Sequence, residues 1–80
     1  MKVKIRIVWP DGFKSEVVDE HMNVVAKVMV QLRRAGTKFP ITLSHELRDL
    51  VYGPEGAIHG GVHTYTGLTK YEFIAQRVDE

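Results

Sequence analysis

Residues 2–18 read KVKIRIVWPDGFKSEVV, and this stretch decides the fold. Apolar and charged side chains alternate from Lys2 to Trp9. Val3, Ile5, Ile7 and Trp9 share one parity; Lys2, Lys4, Arg6 and Val8 take the other. Period two with β-branched residues is the pattern of a strand with one face on a core. Pro10-Asp11-Gly12 then supplies turn chemistry, since proline presets φ at the first corner and glycine accepts positive φ further on. Phe13 to Val18 reads as the returning strand of a hairpin.

Beyond the hairpin the period changes. Asp19 reads as a helix N-cap, with Glu20 placed favourably against the helix dipole. From Met22 to Ala35, the apolar residues Met22, Val25, Val28, Met29 and Leu32 fall on one helical face. Asn23, Lys27, Gln31 and Arg34 fall on the other, and Gly36 is a natural stop after Arg33 and Arg34. Val24, Ala26 and Val30 widen the apolar arc, which points to a homodimer formed by strand or helix pairing. Residues 37–43 read as extended, with Pro40 restricting them to an edge strand or a loop. Ser44 reads as the N-cap of a short helix through Tyr52 whose inner face is Leu47, Leu50 and Val51, closed by Gly53-Pro54. The stretch from Gly53 to Gly61 carries four glycines and a proline and reads as a flexible connector or binding loop. Val62–Thr66 and Lys70–Val78 read as two strands turned around Gly67-Leu68-Thr69.

The expectation is one α+β domain over residues 1–80. It has an antiparallel sheet of about four strands, one main helix and a second short helix, in the order β-β-α-α-β-β. A hairpin that feeds directly into a long helix resembles the opening of β-grasp domains. The resemblance is topological, spans about the first half of the chain and brings no functional residues with it.

Composition narrows function. Hydrophobic residues are 44% and charged residues 26% of the chain, which is globular composition, and the formal net charge is +1. That charge belongs neither to a basic nucleic-acid tail nor to an acidic mimic. With no cysteine there is no disulfide framework, thiol catalysis or thiolate zinc site. No run is long enough for a transmembrane helix, and charges interrupt any signal-peptide core near Met1, so a cytoplasmic location is expected.

Four groups of residues are candidates for function. His45, His59 and His63, with Glu55 as an added acid, are the metal or acid–base candidates. Yet the adjacent glycines in His59-Gly60-Gly61-Val62-His63 argue against the helix that would bring an i, i+4 pair together. Gly53-Pro54-Glu55-Gly56 follows a helix and contains an acid, which makes it a poor phosphate loop. Lys2, Lys4 and Arg6, with Arg33, Arg34 and Lys38, are the nucleic-acid candidates. They would serve if His63, Tyr65 or Tyr71 offered stacking on the same sheet face. The ordinary reading is a solvated strand face, partly neutralised by Glu16 and Glu72. Serine chemistry has little support: Ser15 and Ser44 are the only serines, and no Gly-x-Ser-x-Gly elbow exists.

The leading expectation is therefore a non-catalytic interaction domain, a small adaptor, regulator or inhibitor. It needs no cofactor and binds a protein partner through a sheet edge, the C-terminal hairpin and the Gly53–Gly61 loop. Its partner-binding candidates are Glu55, His59, His63, Tyr65 and Tyr71. Nucleic-acid binding through the basic strand face is the alternative, and a histidine-based metal-dependent enzyme is the second alternative.

Overall fold

The alternation of residues 2–8 does what period two dictates: in the computed structural model, Val3, Ile5 and Ile7 are all fully buried. The structure describes residues 1–36, 38–39, 41–66 and 70–78. Strand β1 (Lys2–Val8) pairs antiparallel with β2 (Lys14–Glu20). The turn between them closes through Trp9 N–H to Phe13 O at 2.7 Å and Gly12 N–H to Trp9 O at 2.9 Å, with Gly12 at φ 90°. Positive φ at that corner is why glycine stands there. Strand β3 (Val62–Tyr65) pairs with β4 (Glu72–Val78), and β4 lies antiparallel against the other side of β1. The sheet order is β2-β1-β4-β3, so β2 and β3 are its edges. The expected turn at Gly67-Leu68-Thr69 lies outside the described residues, as does Pro40.

Helices α1 (Val24–Arg34) and α2 (Thr42–Tyr52) cover one face of the sheet. Val24, Val25, Val28 and Leu32 of α1 and Leu43, Leu47 and Val51 of α2 meet Val3, Ile5, Ile7, Phe73 and Ala75 in one core. Each fully buried aliphatic or aromatic side chain contributes about 1.5–3 kcal/mol relative to exposure, offset by the conformational entropy of the ordered chain. The β-β-α-α-β-β order and the four-stranded antiparallel sheet stand as the sequence implied. The hairpin-then-helix opening that resembles β-grasp domains is present. The second half completes the sheet with an antiparallel hairpin.

Several local expectations are corrected. Asp19 is not a helix cap. It sits in β2 opposite Val3, and its carboxylate accepts the Glu20 N–H at 2.6 Å and pairs with Lys27 of α1. An acidic acceptor at a strand end can serve either purpose, and here α1 folds back over β2 and delivers a cation to it. The helix begins two residues later than Met22, after Asn23, with no side-chain cap. Met22 is exposed and Val24 takes the buried place.

The second correction concerns residues 37–43. Thr42 and Leu43 already belong to α2, and Ser44 lies inside it, donating its hydroxyl to the Ile41 carbonyl at 2.9 Å. The reason is the row Leu43, Leu47, Val51, spaced four apart and buried throughout, which needs helix from its first member. Both helices are 11 residues long.

Candidate functional site

Between α2 and the edge strand β3 lies an open groove of about 710 Å³. Its construction begins with two glycines. A Cβ at Gly53 would sit 2.5 Å from the Asp49 carbonyl oxygen, and one at Gly56 would sit 2.5 Å from that of Val51. Glycine at these positions lets the chain press against the end of α2. Close approach, and not the freedom of the expected flexible connector, is what these two glycines supply. The chain then makes a 3-10 turn, Ala57–His59, that buries Ala57 completely. Backbone bonds from Gly56 N–H to Gly53 O (2.8 Å) and from His59 N–H to Gly56 O (3.0 Å) hold it. The Arg77 guanidinium of β4 donates to the Ile58 carbonyl at 3.3 Å. Gly60 (φ 100°) and Gly61 (φ 82°) then redirect the chain into β3.

Three of the five expected partner-binding residues, Glu55, His63 and Tyr65, meet in this groove. His63 lies opposite Ala75 and Tyr65 opposite Phe73, so both belong to the helix side of the sheet. The His63 Nε2 is 2.8 Å from the Gly60 carbonyl, which fixes it as the N–H donor of that ring. His59 is exposed on the 3-10 turn and does not line the groove. Tyr71 is elsewhere. Its ring meets Trp9 edge-on at 5.3 Å and Phe39 at 5.0 Å, and stacks beside Phe73 at 6.4 Å.

Glu46 and Asp49 also line the groove and were not read as a site from sequence. They stand three apart on α2, which on a helix places them on one side. With Glu55 they give the lining three exposed carboxylates and no lysine or arginine among the described residues.

The basic candidates divide. Lys2, Lys4 and Arg6 lie on the sheet face away from the helices, whereas Arg33 and Arg34 close α1 in the other layer. Lys38 is exposed after α1. Arg6 donates from both Nε (3.3 Å) and Nη2 (3.0 Å) to one Glu16 oxygen, and Lys4 reaches Glu16 at 4.0 Å. His63, Tyr65 and Tyr71 do not join this face, so the combination of charge and stacking that motivated a nucleic-acid reading is not assembled.

His45 is exposed on α2 and His59 on the 3-10 turn, with His63 in β3. Among the described residues, no three His, Asp or Glu side chains are placed to hold a metal. No helix among them is long and apolar enough to cross a membrane.

These features define a two-layer α+β domain whose acidic groove runs beside the edge strand β3. No protein-family model matches the chain, and comparison with curated proteins and with solved structures gave no match.

Proposed function

We propose that this domain is a non-catalytic interaction module and that the α2–β3 groove is its docking site for a basic, extended segment of a protein partner. The observation that carries the reading is the coincidence of an edge strand with a groove holding Glu46, Asp49 and Glu55. An extended segment added alongside β3 gains main-chain hydrogen bonds, and every second side chain turns toward α2. Lysines or arginines at those positions meet the three carboxylates. Half-buried Leu50 and Tyr65 offer apolar contact between them. Attraction of this kind sets on-rate and partner choice, and it weakens as salt rises. We assign the module to the cytoplasm, a location that the cysteine-free composition supports.

Nucleic-acid binding has less support, because Glu16 already engages Arg6 and Lys4 and no aromatic side chain named for that role shares their face. The metal-enzyme reading lacks a ligand cluster among the described residues.

Selection of a random peptide library on the domain tests the proposal. Enriched peptides should be basic and free of proline at alternate positions. Their binding should shift the amide resonances of residues 62–65 and weaken about tenfold or more in the Glu46→Lys/Asp49→Lys variant. Enrichment of acidic or purely apolar peptides, or shifts mapping to the opposite sheet face, would overturn it.

A further inference from the structure

The other sheet edge differs in chemistry from β3, and we infer that β2 is a self-association edge: two copies pair β2 to β2 in antiparallel fashion about a twofold axis through Val17. Backbone bonds at the two ends of the β1–β2 ladder set which groups are free. Trp9 N–H reaches Phe13 O, and His21 N–H reaches Met1 O at 2.9 Å. Antiparallel pairs alternate between hydrogen-bonded and open. In this register Ser15, Val17 and Asp19 turn their backbone groups toward β1. Lys14, Glu16, Val18 and Glu20 turn theirs outward. At Glu20 both groups are engaged locally, by the Asp19 carboxylate and the Asn23 N–H. Glu16 and Val18 remain as the centre of the open edge.

Few registers suit that edge. Outward residues must face outward residues, so a twofold axis passes through a residue and not between two. An axis at Glu16 would set Glu16 against its own copy. An axis at Ser15 would leave Val17 outside the centre of the contact, and it would use a hydroxyl already held between Trp9 Nε1 at 3.0 Å and Gln31 Oε1 at 3.4 Å. The axis at Val17 sets Glu16 against Val18 and Lys14 against Glu20 of the second copy. That gives about four backbone hydrogen bonds and sets Lys14 beside Glu20 of the second copy, a carboxylate that also holds the Met1 ammonium at 3.0 Å.

Helix α1 supplies the roof. Lys27 pairs with Asp19 and Gln31 contacts Ser15, so this stretch of α1 runs along β2 and brackets Val17. An open groove of about 620 Å³ lies there, lined by Val17, Val18, Ala26 and Val30 among others. Val18 is 48% exposed and Val30 44% exposed. Pairing about Val17 brings Val17, Ala26 and Val30 of both copies toward the axis and accounts for Ala26 and Val30, the part of the α1 apolar arc that the core does not bury; Val24 lies in the core. Pairing β3 to β3 would instead bring the carboxylates of Glu46, Asp49 and Glu55 toward their own copies, so the twofold contact falls to β2.

Sedimentation of the intact chain over about 10 µM to 1 mM tests the inference. A concentration-dependent dimer is expected. Lys14→Glu and Glu20→Lys should each weaken it about tenfold at low salt, and the double exchange should restore it to within about threefold. Val18→Pro removes an outward N–H that β1 does not use, and should abolish the dimer while the melting curve stays cooperative. A chain that remains monomeric at the highest concentration overturns the inference. So does a dimer that persists in a folded Val18→Pro variant, or a charge exchange without recovery.

Discussion

Replacing Gly56 by alanine tests how the groove is built. Its backbone is at φ −73° and ψ 174°, where any residue is comfortable, so the substitution carries no conformational penalty of the positive-φ kind. The difficulty is space. The new Cβ would stand 2.5 Å from the Val51 carbonyl oxygen, 2.7 Å from its carbon and 2.8 Å from the Gly53 nitrogen. All three are backbone atoms at the end of α2, and no rotamer change relieves them. The 3-10 turn must move off the helix, loosening Ala57, which is fully buried. Overpacking of this kind costs about 1–3 kcal/mol, and the upper part of the range applies where only backbone can yield. For a chain of this size each kcal/mol lowers the melting temperature by about 4–8 °C, so the fall should be about 10–20 °C. Thermal unfolding followed by circular dichroism measures it. Gly36→Ala is the control, because Gly36 has φ 77° and nothing within 4 Å of its Cβ position. It should lose only the backbone term, about 1 kcal/mol. If Gly56→Ala melts within about 2 °C of the parent, or loses less than Gly36→Ala, close approach is not why glycine stands at 56.

Two further perturbations probe the surface. Lys27 beside Asp19, with the Glu20 N–H, holds the Asp19 carboxyl below its ordinary value of 3.8. A lowered folded pKa means that the stabilisation is fully present above the unfolded value and is lost as pH falls through the folded one. Asp19→Asn should therefore be less stable than the parent in urea at pH 6, and the gap should close progressively below pH 3.8. A gap independent of pH would show that the charge is not responsible. A double-mutant cycle on Arg6 and Glu16, whose side chains are 41% and 45% exposed, should give a coupling of only about 0.2–1 kcal/mol, reduced further by 0.5 M salt.

The sheet was legible from sequence because β1 and β4 each bury one parity, Val3, Ile5 and Ile7 in one and Phe73 and Ala75 in the other. A period of two survives any tertiary arrangement. The start of α2 was less legible. Pro40 suggested extended chain, and the pattern that overrules it needs Leu43 to be seen as the first member of a helical row. Asp19 had two physically sound uses, and only the path of α1 selects between them. The groove was half visible: Glu55, His63 and Tyr65 stood out, whereas Glu46 and Asp49 look like any wet helix face until β3 is set beside them. Gly53 and Gly56 were read as freedom because glycine's other use, close approach, depends on a neighbour that sequence does not name.

The strand order has a consequence in time. The two central strands, β1 and β4, are separated along the chain by residues 9–71, while each edge strand pairs with a centre strand near it in sequence. Emerging from a ribosome, the first hairpin and α1 can associate early. They remain without Phe73 and Ala75 until β4 has followed, more than fifty residues after β2. The open side of β1 is then an unpaired apolar template during synthesis. Its Lys2, Lys4 and Arg6 oppose aggregation there before they serve any folded surface. Joining β1 to β4 is a long-range closure, and it should be the late step of folding.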